Sequence, residues 1–67
     1  MTIQARRRGG DPWREITEKQ LAAVCLELCG GGWTTSETRR AMALQRKILA
    51  GGEYRSRQGY EVRGIEL

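Results

Sequence analysis

Apolar positions along the chain change period twice, and each period predicts an element. In residues 17–29, Leu21, Val24, Cys25 and Leu28 recur at the spacing of one helix face, and Ala22, Leu26 and Cys29 widen it. Thr17 and Gln20 form a capping box at its start, Ile16 and Leu21 have the spacing of a hydrophobic staple, and Gly30-Gly31-Gly32 supply the exit. A second capping box, Thr34 with Glu37, predicts a helix from about Thr35 to the Gly51-Gly52 stop. At about 100° per residue, Ala41, Met42, Leu44, Ile48 and Leu49 take one side of that helix. Arg39, Arg40, Arg46 and Lys47 take the other, with Ala43 and Ala50 between them.

The last stretch alternates and reads as a β-hairpin. With Arg57-Gln58 at the centre of a type I turn and Gly59 as a bulge, Ser56 faces Tyr60, Arg55 faces Glu61, Tyr54 faces Val62 and Glu53 faces Arg63. This register makes two opposite-charge pairs and one aromatic/β-branched pair, and a slip of one residue spoils all of them. After Gly64 the apolar parity shifts to Ile65 and Leu67, which predicts a bend or a tail returning to the core. Ahead of the helices, Asp11-Pro12 can open a helical turn. Residues 1–10 have little to bury and carry Arg6-Arg7-Arg8 and Gly9-Gly10, so they read as a flexible basic arm. The expected architecture is α+β: this arm, then a single small domain over residues 11–67, with two main helices followed by a C-terminal hairpin. Helix 17–29 is expected to lie against Ala41, Leu44 and Ile48.

Composition narrows the function classes. The chain has 67 residues and no histidine, which removes the commonest general base and the His-containing metal sites. The two cysteines, Cys25 and Cys29, stand one helical turn apart; they cannot close a tetrahedral zinc site alone and read as reduced core residues, with a site shared across a dimer as the minor alternative. Gly30-Gly31-Gly32 lacks the lysine and hydroxyl continuation of a phosphate-binding loop. No enzyme, metal or cofactor is expected. No apolar run approaches a membrane span, and residues 1–10 lack a signal-peptide core, so the expected location is cytoplasmic.

Charge points elsewhere. Twelve Lys and Arg stand against eight Asp and Glu, a net charge of +4. The excess lies in residues 1–10 and residues 30–52, a patterned surface of the kind that meets nucleic acid. The second helix has no acid after Glu37 to balance its cations. The candidate nucleic-acid contacts are therefore Arg6, Arg7, Arg8, Arg39, Arg40, Arg46, Lys47, Arg55 and Arg57. DNA is the leading partner, with RNA as the other polyanion.

The helix end at Ile48-Leu49-Ala50-Gly51-Gly52, followed by the hairpin through Tyr54, Arg55, Arg57, Gly59 and Val62 to Arg63, resembles the helix–wing unit of small winged-helix proteins of phages and mobile elements. The excisionase-like and MerR-like members come closest. The resemblance implies a winged-helix-like fold and a transcriptional or recombination-directionality regulator. It also implies major-groove reading by Arg39, Arg40, Arg46 and Lys47, and a wing contact by Arg55 and Arg57.

Two further readings belong beside it. In a protein-interaction module that masks or adapts a host protein, the arginines would meet acidic groups and Trp13 or Trp33 would be the anchor. The wide apolar arc of helix 17–29 also exceeds what one helix and a two-stranded hairpin cover. Either a homodimer hides Leu26, Cys29 or Trp33, or the segment 11–16 folds back with Trp13 over that arc.

Overall fold

A computed structural model describes residues 2–65. Its elements run β1 (Thr2–Arg6), β2 (Arg14–Ile16), α1 (Glu18–Leu28), α2 (Thr35–Leu49), β3 (Glu53–Arg55) and β4 (Glu61–Ile65). The four strands form one sheet in the order β2-β1-β4-β3, and every neighbouring pair is antiparallel.

Both helices begin and end as their local signals require. The Thr17 hydroxyl accepts from the Gln20 N–H at 3.1 Å while the Gln20 side chain accepts from the Thr17 N–H at 2.8 Å. Thr34 and Glu37 repeat the arrangement at 3.1 and 3.0 Å. At the C-terminal ends, Gly31 N–H donates to the Leu26 carbonyl at 2.7 Å and Gly52 N–H to the Lys47 carbonyl at 2.9 Å. These are the long-range bonds of two Schellman motifs. The C-terminal hairpin also has the expected register: Glu53 opposite Arg63, Tyr54 opposite Val62 and Arg55 opposite Glu61. Ser56 N–H donates to the Tyr60 carbonyl at 2.8 Å and Gly59 N–H to the Ser56 carbonyl at 3.0 Å.

The architecture around these pieces differs from the expected one. The C-terminal hairpin is half of a four-stranded sheet, and the fold is not helix–helix–wing. Residues 2–6 are not an arm; they form a central strand, paired with β2 on one side and β4 on the other. The cause is a short period-2 pattern. Ile3 and Ala5 alternate with Thr2, Gln4 and Arg6, and both are 4 % exposed. Asp11-Pro12 opens no helical turn but leads into β2. At the other end, β4 continues through Gly64 to Ile65, opposite Thr2, in place of the expected bend; Leu67 lies outside the described residues.

Strand alternation sends Ile3, Ala5 and Val62 into a core shared with Leu21 and Cys25 of α1 and Ala41, Leu44 and Ile48 of α2. Leu21 and Cys25 carry the apolar arc of α1 into this core, while Leu26 on the same arc stays exposed. Trp13 does not cover that arc, because its ring lies on the opposite face of the sheet, among Arg6 and Arg63. The result is two layers: helices on one face of the sheet, and a second face that no helix covers.

Candidate nucleic-acid interface

Alpha-helical periodicity decides what α2 presents outward. Ala41, Leu44 and Ile48 are buried, whereas Arg39, Arg40, Ala43, Arg46, Lys47 and Ala50 are all exposed. Arg39, Ala43, Arg46 and Ala50 follow one another along the outermost ridge, and Arg40 and Lys47 flank it one side down. Among the described residues none of these four cations is in an ion pair. The one acid of α2, Glu37, accepts from the Thr34 N–H and caps the helix. Arg46 and Lys47 sit in the last turn, where they also complement the helix dipole. Arg39 and Arg40 have no such structural role.

The other expected contacts divide into two groups. Arg7 and Arg8 follow β1, and Arg57 sits at the tip between β3 and β4. Because Arg6 pairs with Glu61, both hairpin tips lie at the same end of the sheet. Arg7 lines one cleft with Ser56, Gln58 and Tyr60 from the other tip and with Glu27 and Leu28 of α1. In that cleft burial, then the nearby Glu27, raises the Tyr60 pKa, and Arg7 partly opposes them. The topology puts both tips, and the arginines they carry, at one end of the sheet although they are far apart in sequence.

Arg6 and Arg55 are committed to the helix-free face. Both form ion pairs with Glu61, Arg55 at 3.0 Å. Arg63, absent from the expected set, donates to the Gln4 side-chain oxygen at 3.0 Å through Nε and at 2.8 Å through Nη2. The guanidinium carbons of Arg6 and Arg63 lie 4.2 and 3.9 Å from the Trp13 ring centroid. Trp13 thus clasps two neighbouring strands through cation–π contacts. On this face Glu15, Glu53 and Glu61 offset Arg6, Arg55 and Arg63, so it carries little net charge. Arg55 keeps 71 % of its side chain exposed despite its pair with Glu61, whereas Arg6 is largely covered.

Hydrogen bonding from Arg6 is the main reason the Glu61 carboxyl titrates below its ordinary value. A carboxylate with a depressed folded pKa stabilises the fold fully above its unfolded pKa of about 4.3. That contribution is lost as pH falls through the lower folded value. Glu61→Gln is therefore expected to narrow the stability difference between neutral and acid pH, measured by urea unfolding across that range. Parallel pH profiles for variant and wild type would show that the pair contributes nothing.

Both cysteines are free thiols, Cys25 buried and Cys29 half-buried. Burial, with a smaller contribution from Cys29, pushes the Cys25 thiol up to about 11. It is an inert core group at neutral pH. No group of three or more His, Cys, Asp or Glu suited to a metal ion occurs among the described residues. None of the described helices is long and apolar enough to cross a membrane. No protein-family model matches the chain, and neither a curated protein nor a solved structure matches it.

Proposed function

We propose that this chain is a non-enzymatic nucleic-acid-binding module, a small regulator that meets duplex DNA through the outer ridge of α2. The observation that supports this reading is the ridge itself: four exposed cations without ion-pair partners among the described residues, separated by alanines. Small residues between long cations let a helix approach a polyanion closely. The major groove admits an α-helix, and 15 residues span about 22 Å of it. Arg39 and Arg46 stand on the outermost line, where bidentate pairing with guanine is geometrically open to them. The reading stands on this surface and not on the winged-helix resemblance, whose architecture the chain does not have.

Counterion release supplies the test. Each phosphate contact on duplex DNA adds about 0.9 to the slope of log affinity against log salt. If all four cations touch phosphate, that share alone weakens binding about 100-fold between roughly 50 and 200 mM salt. Converting Arg39, Arg40, Arg46 and Lys47 together to Gln is expected to remove that share of the slope and most of the low-salt affinity, read by anisotropy on blunt duplex fragments. Gln is a good helix former, so the fold is retained. A wild-type protein that does not associate with DNA at low salt overturns the proposal. So does a fourfold variant with unchanged affinity and slope.

A further inference from the structure

Trp33 has no part in the core. It is 90 % exposed, in the connection between the helices and one residue ahead of the Thr34 cap. A side-chain carbon on Gly31 would stand 3.1 Å from both Cδ1 and Nε1 of the indole, so the five-membered ring rests against glycine backbone. Gly32 is held down in turn: a side-chain carbon there would meet Leu26 Cδ2 at 2.8 Å. The Thr38 hydroxyl donates to the Thr34 carbonyl at 3.1 Å, which ties the start of α2 together just after this connection. A seated connection thus holds out a large flat ring that the fold does not use. Trp13 makes the contrast, since two guanidiniums engage its ring.

The surroundings select what would cover it. Two other large apolar side chains, Leu26 of α1 and Met42 of α2, are also exposed. Arg39 and Arg40 stand in the second turn of the helix that Trp33 precedes. An aromatic platform followed by unpaired cations is the pairing that single-stranded nucleic acid uses, bases on the ring and backbone along the charge. A second copy of a chain with net charge +4 would bring like charge towards this ridge. A strand of phosphates turns the same charge into attraction.

We infer that Trp33 is a stacking platform for an unpaired nucleobase lying at the head of the α2 ridge, a role that presupposes the nucleic-acid reading of that ridge. Stacking is tolerant of base identity, because every base offers a π face. It extends the site from duplex backbone to a junction between paired and unpaired strand.

The probe is a short DNA duplex, blunt or carrying a few unpaired nucleotides, with an RNA overhang as a parallel arm to identify the source of the base. In the 15N-labelled wild-type protein the two indole N–H signals are assigned with Trp33→Phe. The Trp33 signal is expected to shift when the overhang duplex is added, much more than with the blunt one, while the Trp13 signal stays. The overhang is expected to raise affinity about 10-fold, a gain lost in Trp33→Ala and largely kept in Trp33→Phe. Blunt-duplex affinity stays near wild type in both variants. Equal affinity for blunt and overhang duplexes, or an overhang gain that survives Trp33→Ala, overturns the stacking role and leaves the ridge reading intact. Failure of both duplexes to bind at low salt overturns the two together and returns Trp33 to the protein-partner reading.

Discussion

Gly64→Ala is expected to cost about 3 kcal/mol or more, the upper end of what overpacking does. Gly64 is buried in β4, opposite Ile3, and its N–H donates to the Gly52 carbonyl at 3.0 Å. A side-chain carbon there would fall 1.9 Å from the Ile48 carbonyl oxygen, 3.1 Å from its carbon and 3.6 Å from Gly51 Cα. All three are backbone atoms at the end of α2, and none can rotate away. Either the helix end lifts off the sheet or β4 gives up its place between β1 and β3. A domain of this size holds about 3–10 kcal/mol in total, so the substitution removes much of it. Gly10→Ala is the control: Gly10 has positive φ but nothing within 4 Å, so it measures backbone strain without collision. Urea midpoints for the two variants that fall together would show that β4 and α2 are not in backbone contact.

Which parts of this fold are legible in the sequence follows from how local their causes are. A capping box is complete within four residues, so Thr17 with Gln20 and Thr34 with Glu37 identify both helix starts without knowledge of the rest. The register of β3 on β4 is likewise set by one turn and three facing pairs. β1 is different. It offers only Ile3 and Ala5 to the core, and its longer partner strand, β4, lies at the far end of the chain. Arg6 looks solvated beside Arg7 and Arg8, because its partner Glu61 is 55 residues away. The alternation Thr2, Ile3, Gln4, Ala5, Arg6 is present in the sequence, but two small or medium apolar residues are a weak signal beside a charge run.

The candidate site divides in the same way. The outer ridge of α2 follows from a 3.6-residue period and is exposed as that period requires. That Arg7, Arg8 and Arg57 lie at one end of the sheet depends on strand order, and so does the diversion of Arg6, Arg55 and Trp13 to the helix-free face. The composition excess in residues 1–10 therefore overstates the free charge there, since one of its three arginines balances the half-buried carboxylate of Glu61. Charge counting by segment locates cations; only pairing in space shows which remain available to a polyanion.

Ile3→Asp separates the central-strand architecture from the flexible-arm reading most sharply. Ile3 is 4 % exposed, faces Gly64 on one side and Ile16 on the other, and belongs to the core with Leu21, Cys25 and Ile48. No buried polar or charged residue among those described could receive a carboxylate there. An unpaired charge at such a position costs several kcal/mol, about the whole stability of a domain this small. The expected result is loss of cooperative melting and collapse of amide dispersion in the NMR spectrum. Thr2→Asp, one residue away and on the half-buried opposite face, is expected to lose far less. On a flexible arm both substitutions would be silent. A melting transition for Ile3→Asp within about 0.5 kcal/mol of wild type would remove β1 from the middle of the sheet. It would also return Arg6 to the cations available for nucleic acid, because the Glu61 pair and the Trp13 contact both require β1 to lie against β4.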